Sequence, residues 1–136
     1  MKSRANFERR QRSIEERLDP TWFPEVDEPV LAGGNVRYEV ADRCVAIGCG
    51  GLGMLQTVVG AVGLREEIDE SLHLLKRHLP YHESDHVLTL AYNVLTGGQC
   101  LEDLGARRSD EGFLNALGAR RIPDPTTAGD FLRRFN

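Results

Sequence analysis

Two short strings in this chain carry residue types that could do chemistry. His82-Glu83-Ser84-Asp85-His86 fits H-E-x-x-H, in which two imidazoles one helical turn apart bind zinc and the glutamate acts as general base. Gly48-Cys49-Gly50-Gly51-Leu52-Gly53 fits G-x-G-x-x-G, in which glycines let the backbone approach a pyrophosphate at a helix N-terminus. Each string needs a particular setting. The zinc site needs both histidines on one helix, yet Pro80 lies two residues before His82 and Ser84 is a good N-cap, so His82 is expected outside the helix that carries His86. No third ligand stands at a helpful spacing, although Glu102 and Glu111 can be nominated, and His73 and His78 have no stronger case. The nucleotide turn should be followed by a second parallel strand ending in an acidic residue; instead Gly63-Leu64-Arg65-Glu66-Glu67-Ile68 runs into another helix.

A third feature is a set of adjacent basic pairs: Lys76-Arg77, Arg107-Arg108, Arg120-Arg121 and Arg133-Arg134, the last three spaced by thirteen. Arg120, Arg121, Arg133 and Arg134 flank a unit of helix, glycine, proline-rich turn and helix. Such a unit can set a helix against a DNA groove while its cations hold phosphates. Paired arginines also serve simply to solvate helix ends.

The elements that must position these residues are read from periodicity. Residues 1–17 form a basic arm of charge +3, and residues 18–70 carry -7, whereas residues 71–136 are neutral. The arm could hold phosphate backbone or be merely solvated. Residues 20–29 hold three prolines and predict an extended connector whose Trp22 and Phe23 dock on the body of the domain. Val36, Tyr38 and Val40 alternate with charged residues, and with Val45-Ala46-Ile47 they predict a short β-hairpin. From Leu52 the period is helical. Leu52, Leu55, Val58, Val59 and Val62 form one stripe ending at Gly63, and a second helix runs through Ile68, Leu72 and Leu75 to Pro80. A third, the most apolar, starts at Ser84 and uses Val87, Leu88, Leu90, Ala91, Val94 and Leu95 up to Gly97-Gly98. Short helices are expected at about 100–107 and 110–117, closed by Gly118. A last one begins near Thr126 with Thr127 and Asp130 as a capping box.

Composition narrows the classes. The chain has 136 residues, 40% of them apolar, and a net charge of -4, which suits one ordinary domain and excludes a uniformly basic nucleic-acid module. No apolar run is long enough to cross a bilayer, and charge follows Met1 where a secretory signal would place an apolar stretch. A cytoplasmic location is expected. Cys44, Cys49 and Cys100 are read as reduced thiols rather than as a disulfide or a ligand set.

Longer strings point further. His73-Leu-Leu-Lys-Arg-His-Leu-Pro-Tyr-His-Glu-Ser-Asp-His86, Ala91-Tyr-Asn-Val-Leu-Thr-Gly-Gly-Gln-Cys-Leu-Glu-Asp-Leu104 and Leu117-Gly-Ala-Arg-Arg-Ile-Pro-Asp-Pro-Thr-Thr-Ala-Gly-Asp-Phe131 resemble the N-terminal region of bacterial insertion-sequence transposases of the DDE group 1 type. Asn35-Val-Arg-Tyr-Glu-Val-Ala-Asp-Arg43 looks like the same family, so the resemblance covers about residues 30–136. It implies a mainly α region with a short N-terminal β-hairpin, belonging to an enzyme that cuts DNA at the ends of a mobile element and joins it to a target. In that family three carboxylates of a ribonuclease-H-like domain hold two divalent metals, magnesium or manganese. Those carboxylates follow the segment present here. None of Asp103, Asp110, Asp124 or Asp130 matches such a position, so no catalytic residue and no metal ligand is carried over, and no cofactor is expected in this chain. The implied partners are the element's terminal inverted repeats and further copies of the chain. The DNA contacts are expected from Arg120, Arg121, Arg133 and Arg134. Residues 1–29 would be arm and connector, and residues 30–136 the transposase region, its helical pattern running to Asn136 as if the frame were interrupted there. Zinc hydrolysis through His82, Glu83 and His86, or a remnant without function, is the alternative.

Overall fold

The computed structural model describes residues 8–12, 29–31 and 48–135. Residues 8–12 are helical and exposed; the remainder of the arm, the proline-rich connector and the expected hairpin at 36–47 lie outside the described residues. The described part is mainly helical, with no strand among the described residues. Six α-helices follow in order: α1 Leu52–Ala61, α2 Leu64–Ser71, α3 Glu83–Leu95, α4 Asp103–Arg108, α5 Glu111–Ala116 and α6 Pro125–Leu132, which tightens into a 3-10 turn at Arg133–Phe135.

Glycines end three of these elements. Gly63, Gly97 and Gly118 have φ of 69°, 88° and 64°, the left-handed region that side chains with a Cβ rarely enter, and they follow α1, α3 and α5 where the sequence places the stops. Helix α2 is shorter than its apolar spacing predicts. It ends at Ser71, Leu72 is extended (φ -110°, ψ 126°), and residues 72–82 cross the molecule without helix. The cause is a competing acceptor: the amides of Leu74 and Leu75 donate to Glu83 Oε1 at 3.0 and 2.9 Å, so they are satisfied outside a helix. Lys76 and Arg77 therefore lie in this crossing segment and not in a last helical turn. The Leu79–Pro80 peptide is cis.

Two caps also differ from expectation. Helix α3 starts two residues earlier than Ser84 would place it: its N-cap is His82, whose amide donates to Asp85 Oδ2 at 2.9 Å. Helix α6 is capped by Asp124, which accepts from Thr127 N at 2.8 Å, with Pro125 in the first turn; Asp130 instead pairs with Arg133 at 2.5 Å. Proline at that position loses no bond, because its amide would have no partner there.

Helix α3 is central, but the face it buries is polar. Ser84, Asp85, Thr89, Tyr92 and Asn93 are buried with Leu88, while Val94 and Leu95 stand 68% and 63% exposed. Glu83, Ser84 and Asp85 in its first turn are each matched from another segment. Asp85 accepts from Val30 N and Leu31 N (3.0 and 2.9 Å), and Ser84 donates from its hydroxyl to Asp69 Oδ2 at 2.8 Å. Further along, the Tyr92 hydroxyl donates to Gln56 on α1, and Gln56 Nε2 donates to Leu31 O at 3.1 Å. These bonds tie residues 29–31, α1, α2 and α3 into one body. Helix α1 is rotated in the same sense: Leu52, Gly53 and Gln56 are buried, and Leu55, Val58 and Val62 of the expected core stripe face outward with Met54. The apolar core is continuous with the buried face of α3: Leu88 and Tyr92 of that helix pack with Leu104, Phe113, Leu114, Leu117 and Ile122, and with Leu31 and Leu52.

Candidate functional site

The H-E-x-x-H residues are all buried, and each has a structural partner. The His82 ring stacks on His78 with centroids 3.8 Å apart. Glu83 takes the two amides of residues 74 and 75 on one oxygen and His78 Nε2 on the other at 3.1 Å. Burial pushes the Glu83 carboxyl up, but these amides and His78 outweigh it and hold the group below its ordinary range. His86 lies face to face with Phe131 of α6, centroids 4.3 Å apart and planes 6° from parallel. The string thus pins α3 to the crossing segment and to α6. Among the described residues no three His, Cys, Asp or Glu side chains are grouped to hold one metal ion.

The glycine string is an exposed turn at 48–51 that leads into α1, and the strand expected before it lies outside the described residues. Cys49 is half-buried there, its thiol pushed up by burial and by Asp110. Cys49 lines a cavity of about 370 Å³ with Thr96, Arg107 and Asp110. Arg107 spans it, donating from Nη2 to Thr96 O at 2.7 Å while its buried Nε has no partner.

The basic residues are distributed differently from the expectation that named four of them. Arg120, Arg133 and Arg134 are exposed, and Arg121 is half-buried in the turn before α6. Arg108, from one of the basic pairs but outside the four named, lies close to them. Arg108 on α4 donates from Nε to Ile122 O at 3.2 Å, the same carbonyl that accepts from the Tyr81 hydroxyl at 2.9 Å. Tyr81 is pushed up to about 12 by burial, against the lowering charges of Arg108 and Arg121 nearby. On its other side the Tyr81 ring meets His86 edge-on, 5.7 Å between centroids. His86 is lowered to about 4, first by burial and also by Arg134, against the raising charge of Glu83. Arg134 itself reaches Leu74 O at 3.4 Å. Arg108 therefore shares the Ile122 carbonyl with Tyr81, and Arg134 lines one cavity with Tyr81 and His86.

A cavity of about 190 Å³ opens on this group. Its buried wall is Tyr81, His86 and Phe131, and its exposed rim includes Arg77 and Arg134, with Thr127 and Asp130 from α6. His86 is 3% exposed, and its Nδ1 is buried without a hydrogen-bond partner. Arg77 belongs to the basic pair Lys76-Arg77, whereas no motif marks Tyr81, which reaches the cavity only because residues 72–82 leave the helical path.

The four carboxylates that the family comparison weighed have local roles. Asp103 accepts from Gln99 N and Cys100 N (2.7 and 3.1 Å), Asp110 caps α5 through Phe113 N (3.1 Å), Asp124 caps α6, and Asp130 pairs with Arg133. No protein-family model, curated protein or solved structure matches the chain. No described helix is long and apolar enough to cross a membrane.

Proposed function

We propose that this chain is the DNA-recognition region of a DDE-type transposase, acting in the cytoplasm on the terminal inverted repeats of its element. The reading rests on the sequence resemblance, and one geometric observation supports it best. Arg77 and Arg134 line one cavity with Tyr81 and His86, and Arg108 Nε donates to Ile122 O, the carbonyl that also accepts from the Tyr81 hydroxyl. Cations from separate segments on one face give a surface suited to consecutive phosphates, which a solvated helix end does not. Arg120, Arg121, Arg133 and Arg134 bracket α6 and hold the backbone on either side of it. Strand cleavage and joining belong to the magnesium- or manganese-dependent carboxylates of the family, which this chain does not match, and self-association would bring two element ends together.

The experiment is titration of the purified chain with duplex carrying the DNA that borders its own gene, over a series of salt concentrations. Affinity should fall as salt rises, with a logarithmic slope of about 0.9 per phosphate neutralised. Arg120→Ala, Arg121→Ala, Arg133→Ala and Arg134→Ala together should reduce both affinity and slope. Binding that ignores salt, or is unchanged in the fourfold variant, overturns the reading.

A further inference from the structure

Helix α1 carries no charged residue and turns an apolar side to solvent. It buries Leu52, Gly53 and Gln56 and packs Val59 against the core, while Met54, Leu55, Val58 and Val62 are between 43% and 68% exposed. Met54, Val58 and Val62 follow at every fourth position with Leu55 beside them, so the four share the side opposite Gln56. A helix with apolar residues on every side is ordinarily covered on every side.

The size and charge of this face say what covers it. Its exposed apolar surface is on the order of 400 Å² per copy, the scale of an interaction patch on a monomer. Two such faces laid together, with their rims, hide on the order of 1,000 Å², enough for a weak specific pair and too little for an obligate one. A charged partner finds nothing to bind in Met54, Leu55, Val58 and Val62, whereas a second copy brings the same uncharged surface without repulsion. The ends supply an orientation. The N-cap of α1 is Gly51, which has no capping side chain, and its first turn holds no acidic residue, so no side chain of α1 offsets the positive end of the helix dipole. Past the other end, beyond Gly63, stand the exposed carboxylates of Glu66 and Glu67 in the first turn of α2. When two copies of α1 run antiparallel, the glutamates of each come toward the bare N-terminus of the other.

We propose that the outward face of α1 is a self-association surface, on which a second copy of the chain packs its own α1 antiparallel about a two-fold axis at Val58. Met54 of each copy then lies against Val62 of the other, and Val58 meets Val58. The pair is transient, with a dissociation constant on the order of 10 μM or weaker. It gives the self-association of the DNA-recognition reading a place, and only in that role does it rest on that reading.

The test is analytical ultracentrifugation of the full chain from about 2 to about 200 μM, a range that spans such a constant. The mass should rise from one copy toward two. Val58→Lys and Val58→Glu should each weaken the association at least about tenfold, because like charges meet on the axis. An equimolar mixture of these two variants should pair again, to within about threefold of the parent chain. At the lowest concentration each variant should keep the parent's melting temperature, since Val58 faces water in the single copy. The proposal is overturned if the chain stays single throughout the range, if it assembles beyond two copies, or if Val58→Lys pairs as well as the parent. Failure of the lysine and glutamate variants to pair with each other overturns it too, and so does a lowered melting temperature, which would mean that Val58 is covered within its own chain. Salt-dependent DNA binding by a chain that stays single sinks the interface and leaves DNA recognition standing. A pair that binds no DNA does the reverse.

Discussion

The imidazole of His86 lies parallel to the ring of Phe131 at 4.3 Å, and this contact joins the first turn of α3 to the last turns of α6. It places an ionisable ring in a site where only its neutral form is well accommodated. Burial holds the group at about 4, whereas an exposed histidine titrates near 6.5.

That difference sets a pH dependence. Below pH 6.5 the unfolded chain binds a proton that the folded chain refuses until about pH 4, so the unfolded state carries more protons across this window and stability falls as the pH falls through it. The full loss is about 3 kcal/mol at most. Glu83, held below its ordinary range, adds a further loss at the acid end, whereas Asp85, raised by burial against its three amide donors, acts in the opposite sense there. Urea denaturation from pH 7.5 to 4, compared with His86→Phe, isolates the histidine: the variant should lose the slope between pH 6.5 and 4.

Asp85 is the acceptor on which residues 29–31 depend. Its two oxygens take the amides of Val30, Leu31 and His82 at 2.9–3.0 Å, and Leu31 is fully buried. Asp85→Ala leaves these donors without an acceptor and should cost about 2–4 kcal/mol, with Asp85→Asn costing less because it retains one carbonyl oxygen. Hydrogen exchange is the direct check. Protection of the Leu31 amide should collapse in the alanine variant before protection in α5 does.

At the end of α3 the chain turns through Gly97 and Gly98. Gly98 N donates to Asn93 O at 2.8 Å, and a methyl group at Gly98 would overlap the Asn93 side chain. That side chain is buried and donates to Cys100 O at 3.0 Å, so it has little freedom to withdraw. Gly98→Ala should therefore destabilise by about 1–3 kcal/mol. If the overlap is the cause, Asn93→Ala combined with Gly98→Ala should cost less than the sum of the single changes in a thermal-denaturation cycle.

The outward stripe of α1 predicts a contrast with α3. Val58 is 55% exposed and Leu88 3%. Val58→Lys should change stability by less than about 0.5 kcal/mol, whereas Leu88→Ala should cost about 2–4 kcal/mol through lost burial and the cavity left behind. Equal effects in guanidinium denaturation would mean that the stripe is covered.

Several parts of this architecture were legible from residue order alone. Gly63, Gly97 and Gly118 stop helices because only glycine enters φ near +60° to +90° without cost, a local property that needs no partner. The approximate positions of α1, α3, α5 and α6 follow from such stops, whereas the caps of α3 and α6 fall at His82 and Asp124 and not at Ser84 and the Thr127–Asp130 pair. The face that each helix buries was not legible. In α1 and α3 the apolar spacing points to Leu55, Val58, Val94 and Leu95, but burial goes to Gln56, Asp85, Thr89 and Asn93, most of them with hydrogen-bond partners tens of residues away or across a turn. A polar group is buried at little cost once its partner is in place, and no periodicity records where that partner will be.

The candidate site divides in the same way. Amino-acid order determined that the second half of the chain is neutral yet holds paired arginines, and that His82, Glu83 and His86 form a motif-like string. Only the tertiary structure decided that His86 turns into Phe131, that Glu83 is taken by backbone amides, and that Arg77 and Arg134 meet at one cavity from segments 57 residues apart. Helix stops and caps are written within four residues of themselves, whereas a site assembled from a crossing segment, a helix start and a helix end exists only after packing has brought them together.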